Sequence, residues 1–400
     1  MPIDLETPRK FRPLVDQARQ VAAEMLRPIS RRYDRAEHEY PKELDMLAAL
    51  IEGAGEGGGM SGAGAAGVRR ERAGEGNRNG SNMASVLTIV EMCWGDVALL
   101  LSLPRQGLGN AAIASVADDE QLERFEGRWA AMAITEPAAG SDSAAIRTTA
   151  RLEGDEYVLD GEKIFVTAGE RADLIVVWAT LDPSKGRAAV KSFVVERDNP
   201  GLKLDRLEKK LGIRASDTAN FVLEDCRVPK ENLLGSPEVD TGFAGAMQTF
   251  DNTRPLVAAM AVGVARACLD ETREQLARAG VEVSYDAPAA VQTHAAAELL
   301  RMEADYEAAR LLTLESAWMA DNAKPNSLHA SMAKAKAGRA CVDIALGCVE
   351  LCGSVGYGET ELLEKWARDA KILDIFEGTQ QIQLLVVARR LLGRSSADLK

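Results

Sequence analysis

The period of the hydrophobic pattern changes twice along this chain, and this change restricts the folds that it can form. Before about residue 130, apolar residues recur three or four positions apart, as in Leu14, Ala18 and Val21, which indicates helices that bury one face. Between 131 and 240, short apolar runs alternate with turn residues, which indicates strands. Beyond residue 240 the helical period returns in four long stretches: roughly 242–279, 288–321, 326–353 and 380–393.

The order of helices, strands and helices predicts a mainly α protein with a central β-domain. We expect an N-terminal helical domain over 1–130, a middle β-barrel-like domain over 131–240 and a C-terminal four-helix bundle over 241–400. Short connections favour an antiparallel bundle, and successive short strands without helices favour a small barrel or sandwich. The Asp160-Gly161 pair between two apolar runs predicts a hairpin turn.

The composition argues against several classes of function. A net charge of -13 argues against general nucleic-acid binding, which needs clustered positive charge. No apolar stretch approaches the roughly 20 residues of a membrane-spanning helix, and residues 1–6 lack the basic start and apolar core of a signal peptide. We therefore expect a cytoplasmic protein with no membrane partner, and the mitochondrial matrix is the alternative compartment.

Three of the six cysteines, Cys341, Cys348 and Cys352, fall roughly on one face of a predicted helix. Such a cluster could bind a metal ion, but the three histidines of the chain are scattered elsewhere. We expect buried, reduced thiols and no metal site.

Residues 53–80 depart from the helical pattern around them, because eleven of these 28 residues are glycine. Gly53, Gly55 and Gly58 have the spacing of a dinucleotide-binding loop, but that loop needs a strand before it and a helix after it. Here a helical pattern precedes the glycines and more glycine follows. A mobile surface loop is therefore the preferred interpretation.

Several short motifs follow one another in a fixed order through the second and third predicted domains. They lie at residues 133–142, 157–167, 211–218, 224–229, 250–255, 368–371 and 376–379. Each motif is weak alone, but in this order and spacing the chain resembles the acyl-CoA dehydrogenases over about 131–393. The first 130 residues resemble that family only loosely, and the glycine-rich segment departs from it.

This resemblance implies the same three-domain fold, an FAD cofactor and the α,β-dehydrogenation of an acyl-CoA thioester to the trans-2-enoyl-CoA. It also implies that electrons pass to an electron-transfer flavoprotein. Two alternatives stay open: an acyl-CoA oxidase, and a non-catalytic or half-site partner subunit of a heteromeric dehydrogenase. Such a partner should have lost the catalytic residues described next, and this chain retains them.

By resemblance, FAD lies in a crevice between the β-domain and the bundle rather than on a glycine-rich loop. The implied FAD contacts are Met132, Ile134, Thr135, Gly140, Ser141, Phe165, Val166, Thr167, Thr379 and Gln381. The implied contacts of the thioester ligand are Ser141, Asp251, Arg254 and Gly378. The alternative for Asp251 and Arg254 is a local ion pair on a solvated helix, and for 165–167 it is an ordinary strand.

Glu377 is the predicted catalytic base, which removes a proton from the α carbon while a hydride leaves the β carbon for the flavin. Desolvation makes a carboxylate more basic, and by resemblance the backbone N–H of Glu377 helps to stabilise the thioester oxygen. Taken alone, a glutamate before a glycine near a helix start is more often a capping partner. In one branch of the family the base lies at the position of Thr253, whose hydroxyl cannot serve.

The assembly predicted by resemblance is a tetramer, in which each subunit lends contacts to the FAD of its neighbour. The residues that would contact the neighbour's FAD are altered here. Arg278 is not followed by the usual Phe-Gly, and Glu350 and Gly353-Ser354 replace Gln and Gly-Gly. An acidic side chain near a pyrophosphate is repulsive unless it is paired. Both a homotetramer and a heterotetramer with a related subunit therefore stay open.

Overall fold

A computed structural model describes residues 8–54, 80–104, 108–239 and 244–394. The side chains of 50–54, 144 and 244–252 are outside this description. The glycine-rich segment predicted as a mobile loop lies almost entirely outside the described residues.

The N-terminal part is helical, as the sequence predicts. Helix α1 continues through a π-helical turn, Ala22–Leu26, into α2, and Ala18, Ala22 and Leu26 are buried along one face. The helices are α1 (Arg12–Val21), α2 (Arg27–Ala36), α3 (Glu43–Ala54), α4 (Ser81–Gly95), α5 (Val97–Ser102), α6 (Leu108–Val116) and α7 (Asp119–Arg124).

The middle part is a curled sheet, and its described strands form the order β1-β4-β2-β3-β7-β6, with β5 on the other edge of β4. Strand β4 is buried along its whole length, whereas β2 is mostly exposed. The strands are β1 (Ala130–Ala133), β2 (Thr149–Glu153), β3 (Glu156–Thr167), β4 (Leu174–Thr180), β5 (Val190–Glu196), β6 (Leu202–Leu207) and β7 (Thr218–Pro229).

The hairpin predicted at Asp160-Gly161 is wrong, because β3 passes through both residues as one strand. The turn between β2 and β3 lies earlier, at Gly154-Asp155, where Gly154 has the positive φ of 66° that a tight turn favours. Gly161 instead lies at a register shift against β7, and a Cβ there would lie 2.5 Å from Thr148 Oγ1. Close packing, not chain reversal, requires that glycine.

The C-terminal part contains the four predicted long helices and one further helix, α11. Its buried face carries Lys365 and Asp369, which interrupt the apolar pattern by which helices are recognised. The helices are α8 (Ala244–Arg278), α9 (His294–Asp321), α10 (Ser327–Tyr357), α11 (Leu363–Leu373) and α12 (Gln380–Leu391).

Among the described helices, α10 is the one that is long and apolar enough to cross a membrane, judged by length and composition alone. It packs between neighbouring helices and buries Ala333, Cys341, Ile344 and Cys348 in the bundle. Core burial therefore accounts for part of its apolar composition, since 39% of its most apolar 18-residue stretch is buried. Cys341 and Cys348 are buried as predicted, whereas Cys352 is partly exposed.

The N-terminal helices and the bundle share one hydrophobic core. Ile89 of α4, Val262 of α8, Leu299 of α9 and Ile344 of α10 are all part of it. The sheet buries a separate core around Phe193 and Phe221. A boundary between these two cores therefore separates the helices from the sheet.

A buried group of charged and polar side chains joins the parts across this boundary; we call Ser30, Asp96, Lys365 and Asp369 the Lys365 cluster. Lys365 pairs with Asp96 and, at 2.7 Å, with Asp369, and Ser30 donates a hydrogen bond to Asp96. The backbone N–H of Ile213, in the loop between β6 and β7, donates to Asp369. The cluster therefore connects α2, α5, α11 and the β-domain.

We expect Lys365→Met to lower the free energy of unfolding by about 3–5 kcal/mol, because it leaves Asp96 and Asp369 buried without their cation. Guanidinium denaturation followed by circular dichroism measures this change. Arg301→Met is the control, since it removes only the surface pairs with Glu298 and Asp305 and should cost less than about 1 kcal/mol. Equal small losses in both variants would contradict the role of the cluster.

Candidate active site

Helix α11 leads into a tight turn, residues 374–379, which we call the Glu377 turn. Glu377 has a φ of 56° and Gly378 a φ of 95°. A positive φ is uncommon for a residue with a side chain. A Cβ at position 378 would lie 2.4 Å from Nε2 of Gln383. Glycine at 378 therefore lets the chain turn sharply after Glu377.

The carboxylate of Glu377 lies against α8 and α10. Thr253 of α8 donates a hydrogen bond from Oγ1 to Glu377 Oε2 at 2.8 Å. Burial raises the pKa of Glu377, while that hydrogen bond and the charges of Arg254 and Lys334 oppose the rise. Residue 377 is nevertheless partly exposed at the surface, so a ligand can reach it. The result is a reachable carboxylate of increased basicity.

The backbone of the Glu377 turn is held by two side chains that the sequence analysis did not identify. Lys334 of α10 donates from Nζ to Gly378 O at 2.7 Å. Gln383 of α12 donates from Nε2 to Glu377 O at 3.0 Å and to Gly378 O at 3.2 Å. A polar residue on the buried face of a predicted helix is the sequence signal that could have identified both.

On the β-domain side, the Thr135-Glu136 loop is fixed to β3 by a buried ion pair. Lys163 lies 2.7 Å from Glu136, and Glu136 also accepts hydrogen bonds from the backbone N–H groups of Arg147 and Thr148. Burial lowers the pKa of Lys163 to about 8, against the opposing charge of Glu136. The motif order predicted Thr135 as a site residue but not Glu136, although a lysine inside an apolar strand is a recognisable sequence signal.

The loop and β3 together expose a surface that fits a flavin. Ile164 donates its backbone N–H to Thr135 O at 2.9 Å, so the loop lies beside the 165–167 segment. Phe165, with a φ of 57°, is 56% exposed although its ring is large and apolar. Thr135 and Thr167 are partly exposed beside it, and Val166 is buried. A flat, partly apolar ring with polar edges suits this combination of groups.

The remaining predicted site residues lie in two groups. Met132 is in β1, Ile134 follows it, and Gly140 and Ser141 are exposed in the loop after Glu136. In the bundle, Thr379 caps α12 by accepting from Ile382 N at 3.3 Å, and Gln381 is exposed in its first turn.

Two residues predicted to contact the ligand lie in α8. Arg254 is buried and donates from a guanidinium nitrogen to Ser331 Oγ at 3.5 Å, so it lies between α8 and α10 rather than on a solvated helix face. The side chain of Asp251 lies outside the described residues. The ligand contacts of both residues stay predictions.

Two sequence profiles match the chain: "Acyl-CoA dehydrogenase, middle domain" over 131–226 and "Acyl-CoA dehydrogenase, C-terminal domain" over 240–392. The chain is also 42% identical over 260 residues to the mitochondrial short-chain specific acyl-CoA dehydrogenase of Rattus norvegicus. That alignment covers 65% of this chain and 62% of the relative. The chain therefore matches less than two thirds of that relative's length.

Solved structures extend the similarity to nearly the whole chain. Butyryl-CoA dehydrogenase from Megasphaera elsdenii superimposes with a TM-score of 0.82 at 29% identity, over 98% of this chain and 100% of that chain. A structure described as the electron transferring flavoprotein of Acidaminococcus fermentans gives 0.82 at 31% identity, over 98% and 100%. From its two matching domains, its curated relative and this shared fold, the chain belongs to the acyl-CoA dehydrogenase family.

Proposed function

We propose that this chain is an FAD-dependent dehydrogenase that converts an acyl-CoA thioester to the trans-2-enoyl-CoA, with Glu377 as catalytic base. The observation that carries the proposal is the largely desolvated but reachable carboxylate of Glu377, whose pKa burial raises, on a positive-φ turn in a chain of this family. FAD, when bound, supplies the acceptor for the hydride from the β carbon. Met132–Thr135, Phe165–Thr167 and Thr379 would hold it.

Glu377 takes the proton from the α carbon while the β C–H bond breaks with its electron pair, so that a double bond forms between the two carbons. The α proton is weakly acidic, and a desolvated carboxylate is a better base for it. Among the described residues, the N–H of Glu377 donates to no backbone or side-chain acceptor. That N–H can therefore donate to the thioester oxygen, where negative charge develops.

The proposed substrate is a short straight-chain acyl-CoA, and the proposed step belongs to fatty-acid β-oxidation. The names of the rat and Megasphaera relatives support the choice of a short-chain substrate. The proposed electron acceptor is an electron-transfer flavoprotein, which the Acidaminococcus structure supports by its description. A panel of butyryl-, octanoyl- and palmitoyl-CoA with a dye acceptor tests the substrate. Hydrogen peroxide formed in air at the rate of turnover would instead identify an oxidase.

We expect Glu377→Gln to lower kcat by about 10²–10⁴-fold while the flavin absorption is retained, because the amide cannot accept the α proton. The dye-linked assay with butyryl-CoA measures this loss. Glu307→Gln, at an exposed position in α9, should leave kcat unchanged. Wild-type turnover by Glu377→Gln would refute the assignment of the base.

The pH dependence should follow the ionisation of Glu377, since only its carboxylate form accepts a proton. Burial raises the pKa of Glu377. As the pH is lowered, activity should therefore begin to fall at a higher pH than it would with a glutamate of ordinary pKa. Thr253→Val removes a hydrogen bond that favours the charged form. We expect this variant to move the acidic limb of the kcat/KM profile to higher pH; a shift to lower pH would contradict the account.

The proposed assembly is a tetramer formed through the C-terminal helices, where large apolar side chains are exposed. They are Leu346, Val355 and Tyr357 of α10, Leu384, Leu385 and Leu391 of α12, and Leu392 after it. Exposed apolar surface of this kind marks protein interfaces.

The altered residues that would contact the neighbour's FAD predict incomplete FAD binding when this chain is alone. Glu350 is exposed on α10, Gly353 interrupts that helix with a φ of 55°, and Arg278 pairs with Glu274 at 3.4 Å. We therefore expect fewer than one FAD per subunit in native mass spectrometry of the purified chain. A stable homotetramer with full FAD would show that no second chain is needed.

A further inference from the structure

Lys334 is a fully buried lysine in the N-terminal third of α10. Its ammonium donates to the carbonyl of Gly378, at 2.7 Å, in the Glu377 turn. Burying a charged side chain costs free energy unless the charge is paired and hydrogen-bonded. Among the described residues, no carboxylate forms an ion pair with Lys334, so an ordinary buried salt bridge does not account for it.

The face of α10 that carries Lys334 lies directly against the Glu377 turn. Ser331, one turn earlier, accepts a hydrogen bond from Arg254. Gly338, one turn later, packs so closely that a Cβ there would lie 2.7 Å from Leu373 O. The spacing of 331, 334 and 338 places the three residues on one helix face. Lys334 therefore reaches the turn from a rigid, closely packed support.

The charges around Glu377 come from three elements. Arg254 lies on α8 and Lys334 on α10, and both favour the ionised form of the Glu377 carboxyl. Asp374, at the end of α11, is the described carboxylate at the start of the turn, and it is paired with Arg339 at 3.1 Å and Lys371 at 3.0 Å. The net field on Glu377 therefore depends on Arg254 and Lys334.

We propose that Lys334 is a positioning residue for the catalytic base: it holds Gly378 O so that Glu377 keeps its positive-φ conformation, and its ammonium favours the ionised carboxylate. This inference rests on the proposed role of Glu377 and extends it to a residue on another helix. Burial lowers the pKa of Lys334 to about 8, which leaves the amine mostly protonated at neutral pH.

Gln383 allows the two parts of this role, holding the turn and supplying a charge, to be separated. It donates hydrogen bonds to the same turn but carries no charge. Its amide donates to both Glu377 O and Gly378 O. If the turn needed only a hydrogen-bond donor to its carbonyl groups, a neutral side chain such as that of Gln383 would suffice. The second donor is instead an ammonium, which adds a field that Gln383 cannot provide.

The test compares Lys334→Met, Gln383→Met and the control Lys336→Met in the FAD-loaded enzyme with butyryl-CoA and a dye acceptor. Lys336 is on the same helix but is partly exposed and paired with Asp305. We expect Lys334→Met to lower kcat by about 10–100-fold, since small misplacements of a reacting group have effects of this size. We also expect the acidic limb of its kcat profile to move to higher pH.

Gln383→Met should lower kcat without moving the acidic limb, and Lys336→Met should leave kcat and the limb unchanged. An unchanged kcat and pH profile in Lys334→Met would overturn the proposal, and so would a limb that moves to lower pH. A lower melting temperature with wild-type kcat per bound FAD would show a merely structural role and would also overturn it. If Lys334→Met does not fold, the neutral but polar Lys334→Gln variant is tested instead. Its acidic limb is expected to move to higher pH, and an unmoved limb would overturn the proposal.

The result for Lys334 is independent of the result for the base itself. Loss of activity in Glu377→Gln with a wild-type profile in Lys334→Met would leave the proposed function intact and refute only the positioning role. Full activity in Glu377→Gln would refute the proposed function, whatever Lys334→Met does.

Discussion

The buried contact between Lys365 and Asp369 is the interaction on which the arrangement of the domains depends. Asp369 accepts the backbone N–H of Ile213 from the β-domain, and a Cβ at the neighbouring Gly212 would lie 2.4 Å from the backbone of Arg368. Helix α11 therefore contacts the loop between β6 and β7 through Arg368 and Asp369, and its C-terminal end leads into the Glu377 turn. The same short helix links the β-domain to the turn that carries the proposed base.

The period of the hydrophobic pattern predicted the order of the elements, because most helices bury one regular face. Leu14 and Ala18 lie on such a face in α1, and the long bundle helices have the same pattern. It failed where polar residues are buried, since Lys365 and Asp369 hide the amphipathic pattern of α11. It also misassigned Asp160-Gly161, where glycine serves close packing rather than a turn. Motif order selected Glu377 and Thr135. Lys334 and Gln383 were missed because a polar residue on a buried helix face does not by itself show which backbone group it will bond, and that is decided by how α10 and α12 pack against the Glu377 turn.

Glu377 is held between opposing electrostatic effects. Burial raises its pKa and makes it a stronger base, whereas Thr253, Arg254 and Lys334 keep its carboxylate form accessible. A base that was only desolvated would be protonated at working pH, and one that was only paired with cations would be too weak. The positive-φ turn sets where this balanced carboxylate lies. The side chains that hold the turn are therefore expected to influence the chemistry as well as the fold.

The most direct test of the base is the exchange of its proton. Butyryl-CoA carrying deuterium on the α carbon is incubated with the FAD-loaded protein in ordinary water without an electron acceptor, and loss of deuterium is followed by mass spectrometry. The account predicts rapid loss of deuterium with the wild-type protein and none above background with Glu377→Gln. Loss at the wild-type rate in that variant would show that another group removes the α proton.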